Sequence, residues 1–169
     1  MPAILERIVK AWALLGGAAL GLIVLLTTLN VAGFAVNMAV RPLGGTFPGL
    51  PGYEEAVRLL VGPAVLAFFP YCMAKRGHVS VALFSAFLPG RVQNGIARFS
   101  DAAMAIAALF FAVMLAFGAW QSLQDGVVTP VLGWPEWPFH LAGLLSLLLW
   151  AVVACVLTVR PEAGESAHG

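Results

Sequence analysis

The sequence predicts an all-α integral membrane protein with four transmembrane helices, both termini on the cytoplasmic side, and a short interfacial helix between the second and third spans. Three observations carry this prediction. Of 169 residues, 61% are hydrophobic and only 10% charged, against about 25% charged in an ordinary soluble domain. Mean hydropathy is +0.94, so the chain lacks the polar residues that a soluble domain of this size needs to coat its surface. Apolar stretches long enough to cross a bilayer, about 20 residues each, recur between clusters of charge, Gly and Pro. The net charge of +1 comes from scattered residues. No basic stripe of the kind that binds nucleic acid is present, which excludes that partner.

The first span is placed within residues 11–36. No charged residue occurs from Ala11 to Val40, a run longer than the roughly 7 to 15 apolar residues of a signal peptide, so it reads as a retained span. The Gly- and Pro-rich run from Arg41 to Gly52 reads as a loop. The second span, residues 53–74, must begin before Arg58, because only Leu59 to Ala74 is free of charge. A helix from Tyr53 to Ala74 is about 33 Å long at the standard rise. Glu54 and Glu55 then fall in its first turn, where the helix dipole favours carboxylates, and Arg58 lies at helical spacing to pair with them. Pro63 and Pro70 predict a kink.

Lys75, Arg76 and His78 close the second span, and Val79 to Leu88 is too short to cross. This predicts an interfacial or re-entrant segment over residues 78–90. Arg91, Asn94, Arg98 and Asp101 share one helical face, so the third span, residues 99–122, is expected to grow out of an amphipathic helix at the headgroups. A second Gly- and Pro-rich connection, Asp125 to Glu136, leads to the last span, residues 137–159. The polar tail, residues 161–169, is expected to be disordered. Placing the N-terminus inside puts Arg7, Lys10, Lys75, Arg76, Arg91, Arg98 and Arg160 on the cytoplasmic side and leaves only Arg41 and Arg58 outside. That imbalance favours the N-in, C-in arrangement, and Trp12, Trp120, Trp134 and Trp137 fall near the resulting interfaces. The whole chain reads as a single membrane domain, residues 1–169.

Little in the sequence suggests catalysis or a cofactor. Cys72 and Cys155 are far apart in apolar stretches, without metal or disulfide spacing. His78 and His140 fall at opposite ends of their spans and cannot flank one haem iron. Neither H-E-x-x-H nor a nucleophile elbow occurs. No cofactor, metal or catalytic residue is therefore expected. Gly17 and Gly21 form a G-x-x-x-G, and Thr27, Asn30 and Asn37 share a face of the first helix. Helix packing explains these residues, an ion pathway being the alternative. Glu54, Glu55 and Arg58 form either a self-neutralising helix start or a docking surface. Together with Lys75, Arg76, His78, Arg91 and Arg98, they are the candidate interface to a partner or to lipid headgroups.

Four segments in order carry a resemblance: P-G-Y-E-E-A-V-R from Pro51 to Arg58, M-A-K-R-G-H-V-S-V from Met73 to Val81, Phe87-Leu88-Pro89, and Gly118-Ala119-Trp120 followed by Thr129-Pro130-Val131-Leu132-Gly133-Trp134-Pro135. Over residues 11–159 the chain resembles the small membrane subunit of the tripartite ATP-independent periplasmic (TRAP) transporters, the DctQ-type family. It has Ala82 where the family pattern usually has an Asp. The resemblance implies a scaffold subunit of a sodium-coupled importer of organic acids in the bacterial inner membrane. Its implied partners are a large multi-span transport subunit, a periplasmic binding protein and membrane lipids. The competing readings are a membrane anchor of a redox complex and the small subunit of another tripartite carboxylate transporter.

Overall fold

A computed structural model describes residues 1–45, 49–75 and 90–159. Among these residues are five α-helices: α1 (Ala3–Val40), α2 (Tyr53–Leu66), α3 (Phe69–Ala74), α4 (Gly90–Gln124) and α5 (Trp137–Val159), with a 3-10 turn at Arg41–Leu43. Since α2 and α3 run on as one kinked span, four helices among the described residues are long and apolar enough to cross a membrane. Among the described residues there is no strand, only an isolated bridge between Val128 and Pro135. The expected interfacial segment up to Pro89 and the expected tail, with Arg76 and His78, lie outside the described residues.

The kink has a local cause. Pro70 has no N–H, so the carbonyl four residues earlier loses its helical donor. The chain tightens there, with the Phe68 N–H donating to the Val65 carbonyl (3.2 Å) before helical bonding resumes from Cys72 to Phe68 (2.9 Å). The break brings Phe69 against Trp150 of α5, with ring centroids 5.1 Å apart and planes tilted by 54°.

The centre of the bundle is α5, which packs against α4, α3 and α2. Along α4 the buried positions are Asp101, Ala105, Ala108, Ala112, Ala119 and Ser122, spaced by three, four or seven residues and so on one helical face. Small residues in such a row let two helix backbones approach closely in lipid. Opposite them, α5 buries Leu147, Val153, Ala154 and Leu157 in a cluster with Val9 and Met73.

Packing of α1 is thinner, with a buried stripe of Val9, Ala13, Gly16, Asn30 and Gly33. At 38 residues it is about 57 Å long, well beyond the stretch expected from charge alone. Gly16 lies beside Ala67, and Asn30 beside Leu50, just ahead of the start of α2. The last ten residues of α1 therefore run about 15 Å beyond the level at which α2 begins. Val31, Phe34 and Met38 on this extension are exposed.

Candidate functional site

Of the residues that the sequence singles out, Glu55, Arg58 and Asn30 come together at one end of the bundle. Gly52 precedes α2 with φ 77, a backbone conformation open to glycine and strained for other residues. A Cβ at this position would also fall 2.7 Å from the Leu132 side chain. This close approach sets the start of α2 against the loop between α4 and α5. From the first turn of α2, Glu55 then reaches across. Its Oε1 and Oε2 accept the Val131 N–H (2.9 and 3.1 Å), and Oε2 also accepts the Leu132 N–H (2.9 Å). A carboxylate holding two backbone donors is a charge-assisted contact with little freedom left to it.

The loop it holds is itself closed. Thr129 is buried; its N–H donates to the Trp134 carbonyl (2.9 Å), and its carbonyl accepts the Gly133 N–H (2.9 Å). Its Oγ1 accepts the Trp134 N–H (3.0 Å). Gly126 and Gly133 supply the positive φ values, 59 and 65, that turn the chain. The result presents Val131 and Trp134 outward, both exposed, on a backbone bonded from within.

Arg58 pairs differently from the sequence expectation. Its Nη2 donates to Glu136 Oε1 at 2.6 Å, 78 residues along the chain, while Glu54 stays exposed. The reason is geometric: the oxygens of Glu55 are engaged by loop amides, and Arg58, one turn further along α2, faces the start of α5. Asn30 completes this end. Buried at 2% exposure, it accepts the Leu50 N–H through Oδ1 at 3.2 Å, tying the loop after α1 back to that helix. Asn37, two turns further on, is half-buried and beside Arg41 in a shallow cavity.

The small-residue contact of α1 falls one residue earlier than the G-x-x-x-G suggests. A Cβ on Gly16 would lie 2.7 Å from Ala67 Cβ and 2.9 Å from the Ala64 carbonyl oxygen; on Gly17 it would only reach Phe68 at 4.0 Å, and on Gly21 it would meet nothing within 4 Å. At the other end of the bundle Lys75 Nζ pairs with Glu6 Oε1 at 2.6 Å, both side chains about half exposed. Arg98 is exposed on α4, and the side chain of Arg91 lies outside the described residues.

Two features escaped sequence reasoning. The Trp12 indole, expected in an interfacial belt, donates to Ser146 Oγ at 2.8 Å, and Ser146 in turn donates to the Ala142 carbonyl (3.0 Å). Asp101, expected on an amphipathic face at the headgroups, is buried. The signal available for Asp101 was its place at the head of the alanine row of α4.

Below the Arg58–Glu136 pair lies a cavity of about 310 Å³ between α2, α4 and α5. His140 lines it, with an Nδ1 that is buried and has no hydrogen-bond partner among the described residues. No group of three His, Cys, Asp or Glu side chains that could hold a metal ion occurs among the described residues, and Cys72 and Cys155 are free thiols. This end of the bundle is built to hold a loop in one shape and present it.

Fold and site together define a multi-pass helical membrane protein with one polar, internally bonded cap. The family model for the DctQ component of the tripartite ATP-independent periplasmic transporters matches residues 23–163, and the chain belongs to that family. Neither the curated proteins nor the solved structures gave a match.

Proposed function

We propose that this chain is a non-enzymatic scaffold subunit that pairs with a large multi-span transport subunit in the bacterial inner membrane. The complex imports organic acids with sodium, fed by a periplasmic binding protein. Membership in the DctQ family supports the assignment to a tripartite system. The observation that carries the pairing is the state of α1. Only 11% of its most apolar window is buried within the chain, and its apolar extension past Asn30 carries exposed Val31, Phe34 and Met38. Apolar surface at the edge of the bilayer or beyond it favours a protein neighbour.

The N-in orientation rests on the excess of Lys and Arg on one side. It turns the capped end toward the periplasm, where Val131 and Trp134 with Glu54 and Arg58 face the binding protein. Lys75, Arg76, His78, Arg91 and Arg98 then belong to the cytoplasmic headgroup side.

The test is affinity purification of the chain, tagged at the C-terminus, from its native membrane in mild detergent, with mass spectrometry of what accompanies it. A near-stoichiometric large polytopic protein is the expected result. A cofactor-bearing partner would move the assignment to a redox anchor, and a stable, monodisperse chain on its own would overturn obligate pairing.

A further inference from the structure

Two polar ties fix how much of α1 a bilayer can cover. At one end Glu6 pairs with Lys75; at the other Asn30 holds the Leu50 N–H, just ahead of α2. Between these ties α1 rises about 36 Å, close to α5, whose 23 residues span about 34 Å. The hydrocarbon layer is about 30 Å thick, so the ties bracket it, and residues 31–40 stand outside it, among headgroups and water. From Val31 to Val40 there is nevertheless no charged residue, and Asn37 is the one polar side chain. A helix of that composition is suited to lipid or protein, not to water. The segment returning to α2 shields one side, since a Cβ on Gly49 would lie 3.6 Å from the Phe34 ring. The far side of α1 from the buried Asn30 and Gly33 is open. There Gly21, Val24, Thr28, Val31, Ala35 and Met38, spaced alternately by three and four, share a face. All six are exposed, Met38 to 82%. A Cβ on Gly21 would meet nothing within 4 Å, so a second backbone can come close.

We propose that this face is a seam for one helix of the large transport subunit, a helix that crosses the bilayer beside α1 and runs on past the hydrocarbon as far as Met38. The inference rests on the pairing proposed above and adds to it the face, the kind of element and the height of the contact. Height selects protein over lipid. Acyl chains reach Val24 but end before Met38, whereas a protein helix follows the seam through both levels. Continuity selects a membrane-crossing partner, because a protein confined to water would leave the Gly21–Thr28 half of the seam uncovered. The alternating spacing is the one that receives the side chains of a single facing helix. At the top of the seam Met38 also edges a cavity of about 330 Å³ with Phe34, Asn37 and Pro42, room for a side chain from that helix.

The test is cysteine labelling of the full chain in opened membrane vesicles, where orientation does not enter, with Cys72→Ala and Cys155→Ala as background. Met38→Cys and Val24→Cys are each produced with and without the large subunit and treated with a water-soluble maleimide. Without the large subunit, Met38→Cys is expected to label at least about tenfold faster than Val24→Cys, because a thiol held in hydrocarbon does not ionise. With it, labelling of Met38→Cys is expected to slow about tenfold or more as access is lost, while Gln124→Cys, exposed at the same end on α4, labels as before. Val31→Glu and Met38→Glu together are expected to lower the amount of large subunit retained by the tagged chain about tenfold, since docking would bury two unpaired charges; Gln124→Glu leaves it unchanged. Met38→Cys labelling as slowly as Val24→Cys without the partner would put the segment in lipid and overturn the proposal. Labelling unchanged by a large subunit that still co-purifies with the wild-type chain would also overturn it, with the pairing left standing. Protection without the large subunit, lost when the chain is diluted in lipid, would overturn it in favour of a second copy of this chain. If no large subunit co-purifies with the wild type, the pairing fails, and the seam's assignment with it.

Discussion

The first and last helices are both long and strongly apolar, yet they stand in opposite relations to the rest of the chain. In α5, 44% of the most apolar window is buried, against 11% in α1. α5 meets neighbours on several sides, whereas α1 leans on α2 and α3 and sends one indole bond to α5. Hydropathy does not separate them, because an apolar face in a bilayer gains little by exchanging lipid for helix. What separates them is small residues that permit close approach and a few polar contacts. Gly143 and the alanine row of α4 give α5 close neighbours along its length. α1 has a close approach of this kind to the second span at Gly16.

This contrast can be broken at single residues. The largest effect is expected from Gly16→Val, which forces α1 off Ala64 and Ala67. Overpacking of this kind costs about 1–3 kcal/mol, read as a lower midpoint in an SDS unfolding titration, while Gly21→Val is expected to leave the midpoint near that of the wild type. Next is Glu55→Ala, which releases the loop. Hydrogen exchange at the Val131 and Leu132 amides should rise about tenfold or more as local opening becomes easier, with the helical amides of α5 unaffected; unchanged exchange would show that the loop holds its shape without the carboxylate. Ser146→Ala removes the partner of Trp12 and is expected to cost about 0.6 kcal/mol, the usual size of an interhelical hydrogen bond in a membrane, with a shift in tryptophan fluorescence. The smallest effect belongs to Lys75→Ala. Its pair with Glu6 joins two flexible, solvent-reachable side chains, where side-chain entropy and screening offset the attraction, so the unfolding midpoint should stay within error.

The two carboxylates in these predictions also show what the sequence reveals. Glu6 and Glu55 both lie near the start of a helix, and both are legible as complements to its dipole. Only the fold separates an exposed pair with Lys75 from a clamp on two loop amides, since the clamp's partners lie 76 and 77 residues away. Arg58 shows the same limit: local spacing offers Glu54 and Glu55, and the folded chain supplies Glu136. The glycine that packs α1 is likewise ambiguous in sequence, because Gly16 and Gly17 are neighbours and the helix rotation that selects Gly16 depends on where Ala64 and Ala67 stand.

The sequence by itself determined that this chain is a helical membrane protein with four spanning segments and a proline kink in the second. These properties follow from composition, from the length of charge-free runs and from local backbone chemistry, all of which act over a few turns of chain. The tertiary structure alone decided which polar residues meet: Glu55 with the α4–α5 loop, Arg58 with Glu136, Trp12 with Ser146. Such contacts depend on how helices rotate and tilt against one another, and a bilayer that solvates every apolar face alike leaves that choice to a handful of small and polar side chains.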